Sequence, residues 1–392
     1  MDDVRTWIEI NLKELSHNVG EFLRIIPKRT QFMAVVKSNA YGHGLVQVAK
    51  QLAELGIRNK ELGGGIHNSK FAIHNSMLWF GVDSIVEGLR LRREGIKNPT
   101  LVLGATLPAR LSDARESAII LTISNFDALR ALSHLKEPPD FHIKIDTGMH
   151  RQGFLSKDIL ALLKMLKHSH LNPAGIYTHF AAAKDVAYPT YTKMQLAEFE
   201  KAVAAFHRAG FKNIVRHATA SGGTLLFPET HLDMVRIGMG MYGYWPSEES
   251  RIKNQESRFL LKPVLIWKTV ITEIKEIPAG SAVGYDLTER VSRKTKIAVL
   301  PIGYWHGYDR GLSSVGEVLI RGKRVKVLGR VSMDMTVIDV TDVPWVKDGD
   351  EVVLIGKQKK DAIWADEVAL KLGTTQYEVL TRINPLIRRI AV

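Results

Sequence analysis

The chain has 392 residues, 45% of them hydrophobic, which is enough for a large core and predicts two domains. It has no cysteine, no signal-peptide pattern at its beginning and no uncharged apolar run of about 18 residues. We therefore expect no disulfide, no thiolate-bound metal, no membrane partner and a cytoplasmic location. The formal net charge of +13 suits anionic ligands, but the basic residues are spread along the whole chain, so a nucleic-acid partner is not expected.

Between about residues 31 and 245, eight short apolar runs alternate with amphipathic stretches such as LVQVAKQLAEL and KDILALLKMLKHS. This alternation predicts an α/β fold that begins with a (β/α)8 TIM-like barrel. A doubly wound open sheet is the alternative, but the G-x-G-x-x-G turn expected after its first strand is missing. The eight runs are FMAVVKS, MLWFGVDSI, TLVLGAT, IILTIS, FHIKIDTG, AGIYTHF, NIVRHAT and DMVRIGMGMYG.

Residues 57–76, IRNKELGGGIHNSKFAIHNS, interrupt this pattern with three consecutive glycines and little helical or strand period. They lie between a predicted helix and the next predicted strand, which corresponds to the N-terminal face of a barrel, whereas barrel chemistry lies at the opposite face. We interpret the stretch as a surface excursion, and its His67 and His74 are only weak metal candidates.

After about residue 250 the helical period fades, and successive short strands predict a mostly-β C-terminal domain with one short helix at WADEVALKLG. The polar stretch WPSEESRIKNQESR is interpreted as a linker. We predict a barrel domain over residues 1–245 and a C-terminal β domain over residues 246–392. The strand runs of the second domain are VLIWKTVITEIKEI, KIAVLPIGY, EVLIRGKRVKVLGRV, TVIDVT and DEVVLIG.

Residues at the carboxyl ends of barrel strands point at the active site. The set found there is rich in cations, and it lacks both a carboxylate cluster for Mg²⁺ and three convergent histidines for zinc, so no metal is expected. A cationic site favours a phosphate or carboxylate ligand, and a strand-end lysine can form a Schiff base with an aldehyde cofactor. The set is Lys37, Tyr41, Lys144, Asp146, Arg151, His179, Ser221, Arg236 and Gly238.

Each of these signals is weak when it is taken alone. Lys37 could be a solvated rim residue, His179 a core histidine, and Asp146 only the cap of a turn. Ser221, followed by two glycines and an apolar segment, resembles a phosphate site at a helix N-terminus. Their shared location at strand ends strengthens the functional interpretation.

Nine blocks between residues 34 and 383 resemble, in order, the motifs of the alanine racemase family of pyridoxal-phosphate enzymes. The resemblance implies interconversion of L-alanine and D-alanine, the supply of D-alanine for peptidoglycan, and a head-to-tail homodimer whose active sites are shared between subunits. The blocks are AVVKSNAYGHG, KIDTGMHRQGF, GIYTHFA, HATASGG, MVRIGMGMYG, VGYD, PIGYWHGY, GRVSMDM and QYEVLTRI.

The resemblance also implies roles for residues at matching positions. Lys37 would carry pyridoxal phosphate as an aldimine and act as the base for D-alanine, and Tyr285 of the other subunit would be the base for L-alanine. Arg236 would face the pyridine nitrogen, and His179 would link Arg236 to Tyr285. The other cofactor-binding residues would be Tyr41, Ser221, Gly238, Met239 and Tyr377.

Further implied roles concern the substrate. Arg151 and the backbone of Met333 would orient its carboxylate, and Tyr304 and Asp334 would line the entrance. Lys144 matches a lysine that is often carbamylated in the family, and a carbamate would supply a negative partner for Arg151.

The chain departs from the family pattern at several positions. His150 stands where a small residue is usual, and Trp305 and His306 stand where a small residue and an acid are usual. Ser332 replaces the commoner cysteine, and Gln376 the commoner asparagine. The pair Trp305–His306 could alter the size of the entrance.

Three alternatives remain open. The chain could racemise another small amino acid such as serine, or be a non-catalytic pyridoxal-phosphate-binding homologue. A barrel-type pyridoxal-phosphate decarboxylase is disfavoured, because that family uses a carboxylate at the pyridine nitrogen and a C-terminal cysteine, whereas this chain has Arg236 and no cysteine.

Overall fold

The computed structural model describes residues 4–61, 77–184, 189–254 and 257–392. Contacts between Cα atoms divide these residues into two compact units. The barrel unit comprises the described residues of Leu15–Ala40 and Leu45–Lys262, and the β unit comprises those up to Glu14, Tyr41–Gly44 and Pro263–Val392. The β unit thus includes an N-terminal segment and four residues from the middle of the barrel's sequence.

The strands in the described residues follow in chain order, and short 3₁₀ turns connect several of them. They are β1 (Thr6–Ile10), β2 (Gln31–Val35), β3 (Leu78–Val82), β4 (Thr100–Val102), β5 (Leu121–Ile123), β6 (Phe141–Lys144), β7 (Gly175–Tyr177), β8 (Val215–Ala220), β9 (Met234–Ile237), β10 (Leu265–Val270), β11 (Glu273–Ile277), β12 (Ala282–Val283), β13 (Glu289–Arg290), β14 (Thr295–Leu300), β15 (Glu317–Ile320), β16 (Lys323–Leu328), β17 (Thr336–Asp339), β18 (Glu351–Gln358), β19 (Asp361–Ile363) and β20 (Arg388–Ala391).

The helices in the described residues include amphipathic barrel helices whose apolar side faces the sheet. α6, for example, begins where Asn125 Oδ1 accepts from Ala128 N at 2.8 Å, and it buries Leu129 and Leu132. The helices are α1 (Leu12–Ile25), α2 (Lys37–Tyr41), α3 (Leu45–Glu61), α4 (Ile85–Arg93), α5 (Leu111–Glu116), α6 (Phe126–Ser133), α7 (Ile159–His168), α8 (Pro189–Arg208), α9 (Ser221–Leu226), α10 (Glu248–Asn254), α11 (Ala365–Leu372) and α12 (Gln376–Thr381).

The barrel unit is an eight-stranded parallel sheet in the order β4-β3-β2-β9-β8-β7-β6-β5. A parallel bridge between Leu101 and Ile120 joins its two ends, so the sheet nearly closes on itself. Strands covered on both faces read as continuous apolar runs, and every residue of β3 is indeed buried. The predicted eight-run barrel is confirmed.

The β unit is built on a ten-stranded sheet whose main path runs β11-β14-β17-β16-β15-β18-β10-β1-β20, with β19 paired to β18. Most neighbours are antiparallel, and β1 pairs with β20 in parallel. Trp267 on β10 is 1% exposed and lies opposite Ile8 of β1. The predicted mostly-β C-terminal domain is therefore confirmed. That β1 belongs to its sheet was not predicted.

Two local predictions differ from the structure. α3 continues to Glu61, so the first residues of the 57–76 stretch are helical, while residues 62–76, including His67 and His74, lie outside the described residues. The predicted linker contains α10, which begins where Ser247 and Ser250 exchange backbone-to-side-chain hydrogen bonds of 3.2 Å. Within the described part of the chain, no helix is long and apolar enough to cross a membrane.

Candidate active site

Lys37 opens a single turn in which the backbone is left-handed. Residues 38–41 have φ between 52° and 55°, a region that costs an L-residue about 1–2 kcal/mol each. The turn is held by a 2.8 Å bond from Ala40 N to Val36 O, and Asn39 Oδ1 accepts from Leu45 N at 2.9 Å. Lys37 is therefore followed by a strained backbone, and hydrogen bonds from neighbouring residues are needed to stabilise it.

Asp83 is the nearest charged partner of this lysine. It follows β3, the neighbour of β2, and its Oδ1 lies 3.3 Å from Lys37 Nζ. The two side chains are 36% and 56% exposed, so the pair contributes only about 0–1 kcal/mol. Lys37 is therefore held loosely at its charged end.

Arg236 is a buried cation without a carboxylate partner among the described residues. It lies on β9 opposite Met33 and is 3% exposed. Its Nη2 donates to the carbonyl oxygens of Thr178 (2.9 Å) and Ala218 (2.7 Å). Burial lowers the pKa of Arg236 to about 10, so the guanidinium stays protonated at neutral pH.

Three histidines continue this network inside the barrel unit. Arg236 Nη1 lies 2.9 Å from His217 Nδ1, and His217 Nε2 lies 2.8 Å from His142 Nδ1. Arg236 Nη2 is 3.1 Å from His179 Nδ1. Burial, followed by the Arg236 charge, lowers the pKa of His142 to about 3 and those of His179 and His217 well below the usual value.

The lowered pKa values keep the three histidines neutral at pH 7, so each ring has one donor nitrogen and one acceptor nitrogen. Arg236 has only protons to give, so the Nδ1 atoms of His179 and His217 accept and their protons lie on Nε2. His217 then donates to His142, whose own proton lies on Nε2. Tyr177 stacks on His217 with ring centroids 4.5 Å apart and lies 5.3 Å from both Lys144 Nζ and Arg236 Cζ, a cation–π distance.

Lys144 ends β6 and is nearly buried. Its Nζ donates to Gln152 Oε1 at 3.1 Å, and burial, with Arg236 and Arg151 adding to it, lowers its pKa to about 8. Asp146 does not neutralise this lysine directly, because its Oδ1 accepts from the backbone N–H groups of Gly148 and His150 at 3.0 Å. Asp146 therefore caps a turn, as one of the alternatives held, while Arg151 is exposed.

Ser221, Gly238 and Met239 come together in the barrel unit. Ser221 opens α9, and its Oγ accepts from Gly238 N at 3.1 Å and from Gly240 N at 3.3 Å. A Cβ on Gly240 would lie 2.4 Å from the Phe22 ring, so only glycine fits there. The serine and the backbone N–H groups around it form a polar cluster among small residues, a type of group that can receive a phosphate.

Tyr41 and Tyr377 meet in the β unit, with ring centroids 6.1 Å apart. Burial raises the pKa of Tyr377, so its hydroxyl stays protonated and able to donate. Gly42 beside them has φ 86°, and a Cβ there would lie 2.1 Å from Leu380 O. Arg389 Nε donates to Gly42 O at 3.0 Å, and this bond stabilises the close approach of the Gly42 backbone to Leu380.

The other predicted residues of the β unit lie on exposed loops. Tyr304 N donates to Ser332 O and Trp305 N to Met333 O, both at 3.0 Å, so the two predicted entrance segments are hydrogen-bonded to each other. Met333 is 56% and Tyr285 is 68% exposed.

His306 forms a hydrogen bond within its own turn. Its Nδ1 accepts from Gly303 N at 3.2 Å. Burial lowers the pKa of His306, while Asp334 opposes that change, so the accepting neutral form is favoured.

Two family descriptions match the chain. "Alanine racemase, N-terminal domain" covers residues 10–60 and 63–246, and "Alanine racemase, C-terminal domain" covers residues 264–391. The chain is 37% identical over 396 residues to an alanine racemase of Leptospira interrogans serogroup Icterohaemorrhagiae serovar Lai (strain 56601), with 100% of this chain and 97% of that protein covered. The chain belongs to the alanine racemase family. It is therefore related to isomerases of the racemase type along its whole length.

Solved alanine racemase structures share the fold. The crystal structure of alanine racemase from Bacillus anthracis with bound L-Ala-P aligns with a TM-score of 0.87 and 34% identity, covering 99% of this chain and 95% of that chain. The alanine racemase of Desulforamulus reducens is 35% identical over 392 residues, with 98% of each chain covered. The predicted family and fold class are confirmed.

Several residues of this alanine racemase family member were missed from the sequence. Asp83 lies near the carboxyl end of the predicted run MLWFGVDSI and directly follows β3, so its position at a strand end was a usable signal. His142, Tyr177 and His217 lie within strands, where alternation with apolar neighbours gives no indication of a shared network. No group of three or more potential metal ligands occurs within the described ranges.

Proposed function

We propose that the protein is a pyridoxal-phosphate-dependent alanine racemase that interconverts L-alanine and D-alanine. The observation that carries the proposal is the pairing of β2 with β9. Lys37 follows β2, and Arg236, which has no carboxylate partner among the described residues, lies on β9. A cation in place of a carboxylate argues against the decarboxylase alternative. The relatives' shared name supports alanine as the substrate, with serine the runner-up.

Ser221 in the barrel unit fits a phosphate ligand. Its Oγ accepts from Gly238 N, so its own O–H is available to donate, and the N–H groups of Gly238 and Met239 would complete the phosphate site. The resemblance assigns the hydroxyls of Tyr41 and Tyr377, in the β unit, to the same phosphate. Arg236 Nε makes no hydrogen bond to a described residue, which leaves a donor for the ring nitrogen. When bound to Lys37, pyridoxal phosphate would withdraw electrons from the substrate Cα and acidify its proton.

Arg236 limits how far that withdrawal goes. A guanidinium with a pKa of about 10 donates a hydrogen bond but keeps its proton at neutral pH. It would therefore hold the ring nitrogen in its unprotonated form. The weaker electron sink favours rapid return of the proton to the same carbon over transfer of the amino group.

Racemisation requires acid–base groups on both faces of the reacting carbon. Lys37 would remove or return the proton on the D face, and Tyr285 on the L face. His179 accepts from Arg236 at Nδ1, so its Nε2 carries a proton that can be donated to the Tyr285 oxygen. This hydrogen bond would stabilise the phenolate that a tyrosine base requires.

Arg151 and the backbone of Met333 would orient the substrate carboxylate, with Tyr304 and Asp334 at the entrance. Lys144 would support Arg151 as a carbamate. With a pKa of about 8, roughly a tenth of this lysine is neutral at pH 7, and only the neutral amine attacks CO₂. Counted from the ammonium, the reaction would form an N–C bond, open one C=O π bond of CO₂ and release two protons, so that a cation is replaced with a carboxylate-like acceptor.

We also propose a head-to-tail homodimer in which Tyr285 serves the partner's site. Tyr285, Leu287, Trp305, Met333 and Met335 are all more than half exposed in the β unit, an unusual set of large apolar side chains for a surface. A second copy of the chain would cover them. We also propose a cytoplasmic location and a role in supplying D-alanine for peptidoglycan.

The first test is the visible spectrum of the purified protein, followed by L-alanine in deuterated water. We expect an absorption band that Lys37→Ala abolishes, and deuterium in both enantiomers. A protein that stays colourless after pyridoxal phosphate is added would instead support a non-catalytic homologue. Faster exchange and inversion of serine than of alanine would move the substrate to the runner-up.

A further inference from the structure

Glu87 joins the lysine turn to the neighbouring barrel strand through its two carboxylate oxygens. Oε1 accepts from Asn39 N at 3.2 Å, in the middle of the left-handed turn. Oε2 accepts from Asp83 N at 2.8 Å, directly after β3. One side chain thus fixes the backbones on both sides of the 3.3 Å contact between Lys37 and Asp83.

This arrangement differs from ordinary helix capping. α4 begins with Ser84 as its N-cap, and Ser84 Oγ accepts from Glu87 N at 3.4 Å. In a capping box the glutamate at this position would bond back to the N–H of the cap residue itself. Here both oxygens go elsewhere, one of them to a different βα loop, so helix capping alone does not account for Glu87.

We propose that Glu87 is a positioning residue that aims the Lys37 amine by bridging the N–H groups of Asn39 and Asp83. The need for such a residue follows from the site. Among the residues that the structure describes, the half-exposed Asp83 is the one charged partner of the Lys37 side chain, so the direction of that side chain depends on the turn that carries it. That turn has four consecutive left-handed residues, and Glu87 bonds to one of them.

The inference rests on the proposed cofactor, because attachment of pyridoxal phosphate to Lys37 is the step that alignment would affect. Attachment joins the neutral Lys37 amine to the aldehyde carbon as a C=N bond, and the aldehyde oxygen leaves as water with the two amine hydrogens. Attack of the amine requires a defined approach, and misplacement by about 1 Å can lower the rate by about a hundredfold. Binding of a phosphate and ring without an aldehyde does not involve the amine. The rate of covalent attachment therefore reports the orientation of the Lys37 amine, whereas binding of the aldehyde-free ligand reports whether the pocket is intact.

The test uses full-length protein stripped of cofactor. Glu87→Gln should lower the rate of covalent attachment of pyridoxal 5'-phosphate, followed by absorbance, by about tenfold or more. Its affinity for 4'-deoxypyridoxine 5'-phosphate, which has no aldehyde, should stay within about twofold of the wild-type value. Glu94→Gln is the matched control, since Glu94 caps the other end of α4 and pairs with Lys50 at 2.8 Å.

Attachment at the wild-type rate in Glu87→Gln would overturn the proposal, and so would equal losses for the two probes, which would make Glu87 a purely structural residue. Glu87→Asp keeps the charge but is one methylene too short to bridge both N–H groups, so it should also attach slowly, and a normal rate would contradict the bridge. Wild-type protein that binds neither probe would instead overturn the proposed function.

Discussion

Arg236 shows how a single residue shapes its surroundings. Its charge is met by two carbonyl oxygens and two histidine nitrogens, all neutral acceptors. The same charge, added to burial, keeps His179 and His217 neutral by lowering their pKa values. A carboxylate at this position would reverse both effects, because it would attract protons to the histidines instead of repelling them.

The Tyr285 hydroxyl gives the sharpest test at this scale. Tyr285→Phe removes one oxygen from an exposed side chain, so we expect little change in folding or in cofactor absorbance. Exchange of the α-proton of L-alanine should fall by about a hundredfold or more, which is the usual contribution of a general base. Exchange from D-alanine in the same variant is the internal control and should be retained.

Mixing subunits then tests whether the sites are shared. Tyr285→Phe and Lys37→Ala proteins should each lack racemase activity when they are refolded alone. If Tyr285 serves the partner, co-refolded subunits would form some dimers with one intact site and one doubly defective site, and activity would reappear. Mixtures that stay inactive would argue that each chain completes its own site.

The left-handed turn and the glycine after it are the most constrained local element. We expect Gly42→Ala to lower the free energy of unfolding by about 3 kcal/mol or more, because its Cβ would meet Leu380 O at 2.1 Å. Gly373→Ala is the matched control in the same unit, since it also has positive φ but nothing within 4 Å of its Cβ.

Only the backbone strain of about 1–2 kcal/mol should appear in that control. Denaturant unfolding of both variants measures the difference. Similar losses in the two proteins would show that the close approach at Gly42 is relieved cheaply.

The elements also show what a sequence can reveal. Parallel strands such as β2 and β3 were predicted because burial on both faces requires apolar runs. The turn after β2 was not predictable in detail, because SNAY contains no glycine and its left-handed backbone depends on bonds to Glu87 and Val36. β1 was missed for a similar reason, since its partners lie more than 250 residues away in sequence.

Some residues of the candidate site were predictable from the sequence, and others were not. Lys37, Ser221 and Arg236 are strand-end residues and were found by position. His142 and His217 became visible only when two separate strands placed their rings 2.8 Å apart. Whether Lys144 is carbamylated stays a prediction.

At the scale of the whole molecule, the buried histidines predict how stability depends on pH. His142, His179 and His217 have pKa values below 6.5 in the folded state, so the unfolded chain binds more protons below that pH. Their contribution to stability is complete above about pH 6.5 and is lost as the pH falls. The expected slope approaches 1.4 kcal/mol per pH unit for each histidine.

Denaturant unfolding between pH 7.5 and about 5 measures this slope above the range where carboxylates titrate. His142→Phe should reduce the slope by about 1.4 kcal/mol per pH unit, the contribution of one proton. A pH-independent free energy of unfolding over this range would contradict the neutral-histidine network.

The membership of β1 in the β unit has a consequence for taking the protein apart. A gene fragment encoding residues 246–392 would lack the strand that pairs with both β10 and β20, and would leave two unpaired edges in the middle of its sheet. Residues 4–14, supplied as a separate peptide, would restore the missing ladder. No single cut of the polypeptide therefore separates the two units intact.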